Sequence, residues 1–576
     1  MEDAEIPNSR DIRSILNFGD VPDIRLSFNE YNFSGADIEI QKPLNMTSTI
    51  NTHFICQKIV ILSPDVCISG FKFSCSIIIY MVDNISIKNC SFDDGDAGCG
   101  GTLVITRGNG IILENLILSN ITIPAIFVET NSSVFIKDCR IFNVSDSMIY
   151  ISNVSQAVIE NCELYQTENN GIVATLDSII EVNNTEIHHT ASPAILVINS
   201  SLFCTNSNFH DIQQNGIYVN HCNEAKFMNN KFQNIKSSCI SVSLKSNAFV
   251  YENTFEDIGG NAVFMVAESK ATILKNIVKR SSYPAFAILQ KCSAQISYNE
   301  ISDMQKAGIC IRGASRAVLD ANKIENVNDC GISISDSFTC VLFHNFIKNC
   351  AVAGFEAYNQ ACAKMYGNEF EECGEYGIMV YTSANVSATK NKFKGISNAF
   401  VHLSTNGSGT FSSNDIINCE KQVDGNTTGV FLFKDNISFE SITNDENNVD
   451  FSVKIVPKFV DPMVGKCMKC LEGQKQGYCA PCGHKVLCDK CGKAAADAHE
   501  NCPLCRFEIK SYTDEFPISD SSQCSICLEA PADSIVLPCG HTGFCAECLN
   551  VWFLEQNSCP ACRGEPSVFR KIISDF

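Results

Sequence analysis

Residues 299–321, NEISDMQKAGICIRGASRAVLDA, run without a gap into residues 322–344, NKIENVNDCGISISDSFTCVLFH, and the two lines match position by position in character. Each opens on an Asn. Two residues later comes an apolar side chain, Ile301 or Ile324, and ten residues after the Asn comes another, Ile309 or Ile332, behind a glycine, Gly308 or Gly331. Extended forwards and back, the register takes in Asn253, Asn276, Asn299, Asn322, Asn345, Asn368, Asn391 and Asn414, all at one unchanging interval. It continues backwards through Asn230, Asn208, Asn184, Asn161, Asp138 and Asn115 with at most one residue of slippage, and Asn89 precedes a small insertion. That makes fifteen coils between residues 45 and 436.

Each coil offers three short apolar lines: Phe232, Phe255 and Phe370 two after the Asn, Ile217, Ile240 and Phe286 thirteen before it, and Ala225, Ala248, Ala271, Ala294 and Ala317 five before it. They are rich in β-branched and aromatic residues and broken by Asn, Gly and Ser, as short strands are. A helical repeat of similar length would show apolar spacing near 3.6 residues over ten or more positions, and none is present. The pattern therefore predicts a mainly β chain built as a right-handed parallel β-helix. Equivalent residues would stack about 4.8 Å apart, the Asn amides would bond along the stack as a ladder, and fifteen coils would make a rod of roughly 70 Å.

Around this core, residues 1–44 do not repeat and read as an N-terminal cap, with a short amphipathic helix opening at Ser9-Arg-Asp-Ile-Arg-Ser-Ile-Leu16. Residues 437–463 lose the register and read as a C-terminal cap and linker. The chain has 576 residues and a net charge of −21, without clustered Lys or Arg, so no electrostatic footprint for nucleic acid is visible and anionic membranes would be repelled. Its start has neither a basic flank nor an apolar segment, and nowhere do 18 apolar residues run uninterrupted. The expectation is a protein of the cytoplasm or nucleus, neither secreted nor membrane-spanning. Triplets such as Asn120-Ile-Thr and Asn385-Val-Ser then read as turn chemistry rather than glycan sites.

Of the 33 cysteines, eighteen lie singly in the repeat region, where reduced thiols acting as small hydrophobes are the simplest account. Fourteen others fall into two combs with histidines. The first, within residues 464–510, runs Cys467, Cys470, Cys482, His484, Cys488, Cys491, Cys502, Cys505; the second, within residues 519–576, runs Cys524, Cys527, Cys539, His541, Cys545, Cys548, Cys559, Cys562. One offset, the same from Cys467 to Cys524 as from His484 to His541 and from Cys505 to Cys562, carries every ligand of the first onto its counterpart in the second, so both should fold alike. Four close pairs of soft ligands suit two tetrahedral zinc ions per comb; a disulfide scaffold or a zinc ribbon are the other readings of the residues. Cys479 stands outside the ligand sets and reads as a spare thiol in a loop, and residues 507–523 read as a short acidic linker that allows the two combs to touch.

The combs resemble the RING finger whose ligands run three cysteines, one histidine and four cysteines. By that likeness the sites interleave: Cys524, Cys527, Cys545 and Cys548 hold one ion, and Cys539, His541, Cys559 and Cys562 the other. The resemblance implies an E3 ubiquitin ligase, which binds a ubiquitin-charged conjugating enzyme and orients the thioester for attack by a substrate lysine, with no covalent intermediate on its own chain. Ile526, Trp552 and Pro560 match the family's conjugating-enzyme contacts, and Arg563 matches the donor that bridges that enzyme and ubiquitin. The first comb has Lys469 and Ala495 in place of Ile526 and Trp552, while Pro503 and Arg506 are retained, which implies weak or no binding there. The tail to Phe576 resembles those of inhibitor-of-apoptosis RING proteins, which dimerise; frayed disorder is the other reading.

The repeat region resembles the pectate-lyase-like β-helix superfamily, and most closely the β-helix carried by some F-box ubiquitin-ligase subunits. It would be the receptor for a protein substrate, with Tyr251, Phe343 and Tyr366, two before the Asn line, as a candidate binding stripe. The paired aspartates with Gly-His-Gly of polygalacturonases are missing, as is the acidic calcium cluster with arginine of pectate lyases. Asp93-Asp-Gly-Asp96 reads as a solvated loop, and His188, His189, His210 and His344 show no Cys or carboxylate set at ligand spacing. A non-enzymatic interaction scaffold is the alternative function, and a carbohydrate-active β-helix the third.

Overall fold

The computed structural model describes residues 22–33, 35–93, 97–337 and 339–439, with Ala4, Glu5 and Leu16 before them. Further on it describes Cys467, 476–480, Lys485, 487–500, 509–513, 516–517, 523–528, Ala530, Ala532, 534–537, 539–545, 548–549, Trp552, Gln556, 558–563 and 568–571. Contacts divide the chain into two units, Met1–Ser441 and Ile442–Phe576.

The first unit is a parallel β-solenoid of about 18 turns. Each coil contributes one strand to each of three parallel faces. In mid-solenoid the first face runs through Ile217–Asn220, Ile240–Ser243 and Val263–Met265, the second through Ala225–Met228, Asn247–Tyr251 and Lys270–Leu274, and the third through Lys231–Ile235, Thr254–Ile258 and Ile277–Ser281. Like residues stack on like: Ile217 on Ile240 on Val263, and Phe232 on Phe255 on Val278. These lines are wholly buried, and the rings of Phe232 and Phe255 stack at 5.1 Å between centroids. An inward apolar residue at every second position of a two-residue period explains why three short lines, not one helical stripe, mark each coil.

Parallel pairing begins inside the stretch expected to be a cap. Asp23–Leu26, Glu30–Asn32 and Asp37–Ile40 all pair with the long strand Leu44–Ile61. These coils bury Ile24, Leu26, Ile38 and Ile40, and Asn29 stands two before the buried Tyr31 as the marker does elsewhere, but the next coil has Thr52 at that place, so the constant interval breaks before it reaches them. At the far end Ile437–Phe439 pairs with Asp415–Ile417, so the sheet also passes residue 436. Residues 440–466, and the expected helix apart from the buried, helical Leu16, lie outside the described residues.

The Asn line is two ladders. From Asn230 to Asn436 the amides are buried or nearly so, each Nδ2 donating to the next Oδ1, as in Asn299 to Asn322 at 2.9 Å and Asn322 to Asn345 at 2.8 Å. Asn89, Asn115, Asp138, Asn161 and Asn184 sit one residue earlier, at an exposed corner with φ between 48° and 55°. There Asn115 donates to Asn89, Asn161 to Asp138 and Asn184 to Asn161. Asn208 belongs to neither ladder; it lies on a strand and donates to Glu186. In the early coils the inward place is taken by the buried Cys90, Leu116, Cys139 and Cys162 and then by Thr185 and Ser207, whose hydroxyls accept the backbone N–H of Cys162 and of Thr185. The one-residue slippage thus marks a switch from a left-handed corner, which Asn and Asp tolerate best, to an inward amide. Asn120, in the strand Ile117–Ile121, has another left-handed φ of 58°, and its Oδ1 accepts from Asn143; Asn385 opens the strand Asn385–Thr389 rather than a turn.

Glycines precede the first-face residues because the next coil approaches closely: a Cβ on Gly331 would lie 2.5 Å from Ile347 and 2.7 Å from the carbonyl of Gly354. None of the eighteen cysteines of this unit is in a disulfide, and fourteen of them are buried. Burial pushes Cys204 up to about 12 and Cys90, Cys222, Cys292 and Cys340 up to about 11, so they remain thiols at neutral pH and act as small apolar groups.

Candidate functional site

In the second unit the eight ligands of the second comb close into two groups. Cys524, Cys527, Cys545 and Cys548 form one, and Cys539, His541, Cys559 and Cys562 the other, with the ligand atoms of each group all within 4.8 Å of one another. Four sulfurs at about 2.3 Å from one zinc stand about 3.8 Å apart, so these donor sets fit a tetrahedral zinc with all four positions filled by protein. Backbone N–H groups point at the sulfurs: Ile526 donates to Cys524 at 3.4 Å, Ala530 to Cys527 at 3.5 Å and Cys548 to Cys545 at 3.4 Å. Burial pushes the Cys524 thiol up, but the N–H groups of Cys527, Cys545 and Ile526 outweigh it and hold it at about 6, poised to ligate as thiolate. Beneath the sites lies a small core of Val536, Phe544 and Leu549 packed on the ligand cysteines.

In the first comb Cys467, Cys488 and Cys491 come together in the same way, with Cys491 carried by the helix Asp489–Asp497. Cys470, Cys482, His484, Cys502 and Cys505 lie outside the described residues. The duplication extends beyond the ligands. Tyr478–Ala480 pairs antiparallel with Ser511–Thr513, and at the ligands' own offset Ser534–Leu537 pairs antiparallel with Val568–Lys571 in the same register. Two expectations are corrected by this. Residues 511–513 are the closing strand of the first finger rather than linker, and Ile509 is buried in its core. Tyr512 clamps that strand, its hydroxyl accepting from the N–H of Gly477 at 2.6 Å and donating to the carbonyl of Leu487 at 3.0 Å. The start of the C-terminal tail is the equivalent strand of the second finger; residues 572–576 lie outside the described residues.

Cys479 is likewise not in a loop. It sits in a strand, buried with Cys467, Leu487 and Ala495, at the place of Val536 in the second copy. A thiol can do this because it is a small hydrophobe there. The two equivalent strands meet: Tyr478 and Ala480 of the first finger and Ile535 of the second form one buried apolar cluster.

The second finger presents the side chains that its sequence singled out. Ile526 is 38% exposed, and Leu528, which sequence reasoning missed, is 70% exposed on a left-handed turn with φ 61°. Its signal was an apolar residue directly after a ligand. Trp552 is half-buried and donates from Nε1 to the carbonyl of Ser558 at 2.8 Å, Pro560 is half-buried, and the Arg563 guanidinium lies over the Trp552 ring at 4.9 Å. Ala495, the counterpart of Trp552, is instead buried in the first finger's core. Lys469 lies outside the described residues.

On the solenoid the candidate aromatic stripe is not a free surface. Tyr251 is 4% and Phe343 1% exposed, and half-buried Tyr366 has the Lys390 ammonium 5.4 Å from its ring centre. Rungs only a strand spacing apart cover one another, which sequence register alone does not reveal. Asp93 is held by Lys72 at 2.6 Å and Ser74 at 2.7 Å; burial raises its carboxyl, but these partners win and hold it below the ordinary value. Asp94 and Asp96 lie outside the described residues. His344 contacts Asp320 at 3.3 Å. His188, His189 and His210, by contrast, are drawn together from neighbouring coils, with Glu186 and Asp211 beside them. The spacing that matters in a solenoid is one coil, not a loop.

Comparison with known proteins agrees with both halves. The family model "Right handed beta helix region" matches residues 75–232 and 238–393, just over half of the chain, and "Zinc finger, C3HC4 type (RING finger)" matches residues 464–512 and 520–567. RING fingers of this type bind zinc, two ions per finger. RING finger protein 141 of Danio rerio is 39% identical over 46 residues, covering 8% of this chain and 20% of that protein. Apoptosis inhibitor 1 of Orgyia pseudotsugata multicapsid polyhedrosis virus is 39% identical over 57 residues, covering 10% and 20%. The Arabidopsis thaliana protein named "Putative E3 ubiquitin-protein ligase XBAT35" is 37% identical over 46 residues, covering 8% and 10%. The chain thus spans a fifth or less of the length of these curated relatives. Among solved structures, the Azotobacter vinelandii mannuronan C-5 epimerase A-module aligns at 9% identity, covering 62% of this chain and 89% of that one, with a TM-score of 0.29, and a periplasmic alginate epimerase at 12%, covering 66% and 77%, with a TM-score of 0.31. Agreement at that level carries no argument about activity.

Proposed function

The chain belongs to the right-handed β-helix family and carries two RING fingers behind its solenoid, and from that premise we propose that it is a RING-type E3 ubiquitin ligase. The solenoid would hold the protein substrate and the second finger would recruit the charged conjugating enzyme. The observation that carries this reading is the exposure of Ile526 and Leu528 beside a zinc site closed by four protein ligands. Zinc in such a site holds the loops in place and has no open position for chemistry. Exposed apolar anchors on loops fixed in this way are what a binding hot spot needs.

The transfer itself is aminolysis. The substrate lysine nitrogen attacks the thioester carbonyl of ubiquitin, an isopeptide bond forms, and the conjugating enzyme's cysteine leaves as thiolate. The finger contributes orientation of the two partners rather than an acid or base. Arg563, held over Trp552, supplies a fixed fork of donors at the edge of that face. Eighteen solenoid cysteines outside any disulfide suit the reducing cytoplasm, where this reading places the chain.

The first finger acts as a brace. Tyr478 and Ile535 occupy equivalent places in the two copies and pack together. The contact that a second copy of the chain would otherwise make is therefore made within one chain, much as an isologous interface pairs like with like. The zinc-loaded chain is expected to sediment as a monomer. Tyr478→Ala is expected to slow ubiquitin transfer several-fold with every zinc ligand intact; a rate equal to wild type would remove the bracing role.

The reading is tested with purified chain, activating enzyme, a panel of conjugating enzymes, ubiquitin and ATP. Polyubiquitin is expected with the wild type and about tenfold less, or none, with Ile526→Ala or Leu528→Ala. No chains with any conjugating enzyme would favour the scaffold reading, and depolymerisation of an acidic polysaccharide the carbohydrate-active one.

A further inference from the structure

Three imidazoles meet on the third face of the solenoid, away from both zinc combs in sequence. His188 and His189 lie on the strand Glu186–Thr190, and His210 lies on Asn208–Ile212 of the next coil, in register with His188. The rings of His188 and His210 stack at 4.5 Å, and the Nδ1 atoms of His188 and His189 are 2.7 Å apart. One ring nitrogen from each of the three lies within 4.8 Å of the others.

Two neutral imidazoles can approach to that distance only by sharing one proton between their nitrogens, and a divalent cation takes the place of such a proton. The carboxylates around the cluster are placed as supports. His210 has Glu186 Oε1 3.0 Å from its Nε2 and Asp211 Oδ2 2.8 Å from its Nδ1, so the nitrogen that turns to an ion gives up its carboxylate while the other stays held by its own. That arrangement fixes tautomer and ring direction and is what metal-ligating histidines ordinarily have. Glu163 lies 3.8 Å from His188 Nε2 on the other side. The histidines are confined to these two coils. In register with His188 and His210 the neighbouring coils carry Phe142, Tyr165 and Gln233, and at the corner of His189 they carry Asn143 and Gln166.

We propose that His188, His189 and His210, supported by Glu186 and Asp211, form a site on the solenoid for one divalent transition-metal ion of the zinc, nickel or copper class, which imidazole donors favour. The site is separate from the finger zincs and requires no part of the ligase reading.

The test uses untagged full-length chain with its fingers already loaded with zinc, titrated with Co²⁺ and followed by absorption and by elemental analysis. Wild type is expected to take up one Co²⁺ with visible ligand-field bands of a nitrogen and oxygen site, without the sulfur charge-transfer band of a thiolate site, and without losing zinc. His189→Asn and His210→Gln put at these places residues of the kind neighbouring coils already carry, and His189 is exposed, so both variants should fold. Each is expected to lose the Co²⁺, and Asp211→Asn or Glu186→Gln to bind it roughly 10- to 100-fold more weakly. No uptake by the wild type at millimolar Co²⁺, a sulfur charge-transfer band, or equal uptake by both histidine variants would overturn the proposal.

Discussion

Exchanging Cys545 for serine releases one zinc, unfolds the second finger and takes ubiquitin transfer to background, while the solenoid stays folded. The expectation follows from size. The described core of the finger is a handful of residues, Val536, Phe544 and Leu549 on the ligand cysteines, which is too little apolar surface to offset the entropy of ordering the loops. Structural zinc contributes about 10–16 kcal/mol of binding free energy in peptides of this kind, and that becomes folding free energy. With three ligands the ion no longer has a closed tetrahedron, and the four strands joining Phe516–Pro517, His541–Phe544, Ser534–Leu537 and Val568–Lys571 lose their anchor. Zinc per chain, protease sensitivity of the C-terminal unit and far-ultraviolet circular dichroism check the three parts separately. The solenoid carries most of the strands and gives a β signal that should not change.

Asn322→Leu is the second large effect, and it falls on the other unit. Asn322 donates to the carbonyl of Ile296 and to Asn345, both at 2.8 Å, and its Oδ1 accepts from the side chain and the backbone N–H of Asn299, at 2.9 and 3.1 Å. A leucine fills the space but orphans the buried backbone N–H of Asn299 and takes one bond each from the Asn299 amide, the carbonyl of Ile296 and Asn345, whose Oδ1 keeps only the Asn322 backbone N–H at 3.0 Å. Such an orphan costs about 1–3 kcal/mol, and the total with the lost bonds should reach roughly 3–5 kcal/mol, read as a lower urea midpoint of the β signal. Asn161→Gly removes the same chemistry from the exposed corner, where water replaces it and glycine accepts the φ of 55°, and should cost about 1 kcal/mol or less. Equal effects at the two positions would contradict the division into a buried and an exposed ladder.

That division shows how far the sequence could be read. The constant period and the inward lines through Phe232, Ile217 and Ala225 were legible because stacking in register demands the same residue class at each level. The coils before residue 45 were not, since Thr52 and Phe71 interrupt the line between Asn29 and the coil of Asn89. The zinc ligands of the second finger were legible because ligation leaves little freedom in residue type or spacing. Cys479 and residues 511–513 were misread because a thiol filling a core and a short strand joining its own finger leave no local signature. Burial of Tyr251 and Phe343, and the meeting of His188, His189 and His210, depend on neighbours a whole coil away.

The central claim is that transfer runs from the exposed face of the second finger. Its most direct measurement is a single-turnover discharge of ubiquitin from a charged conjugating enzyme to free lysine, with no substrate protein present. Full-length zinc-loaded chain is expected to accelerate discharge well above the conjugating enzyme alone, Ile526→Ala to remove the acceleration at unchanged zinc content, and Pro503→Ala in the first finger to leave it near wild type. No acceleration by the wild-type chain, or equal acceleration by Ile526→Ala, would contradict it.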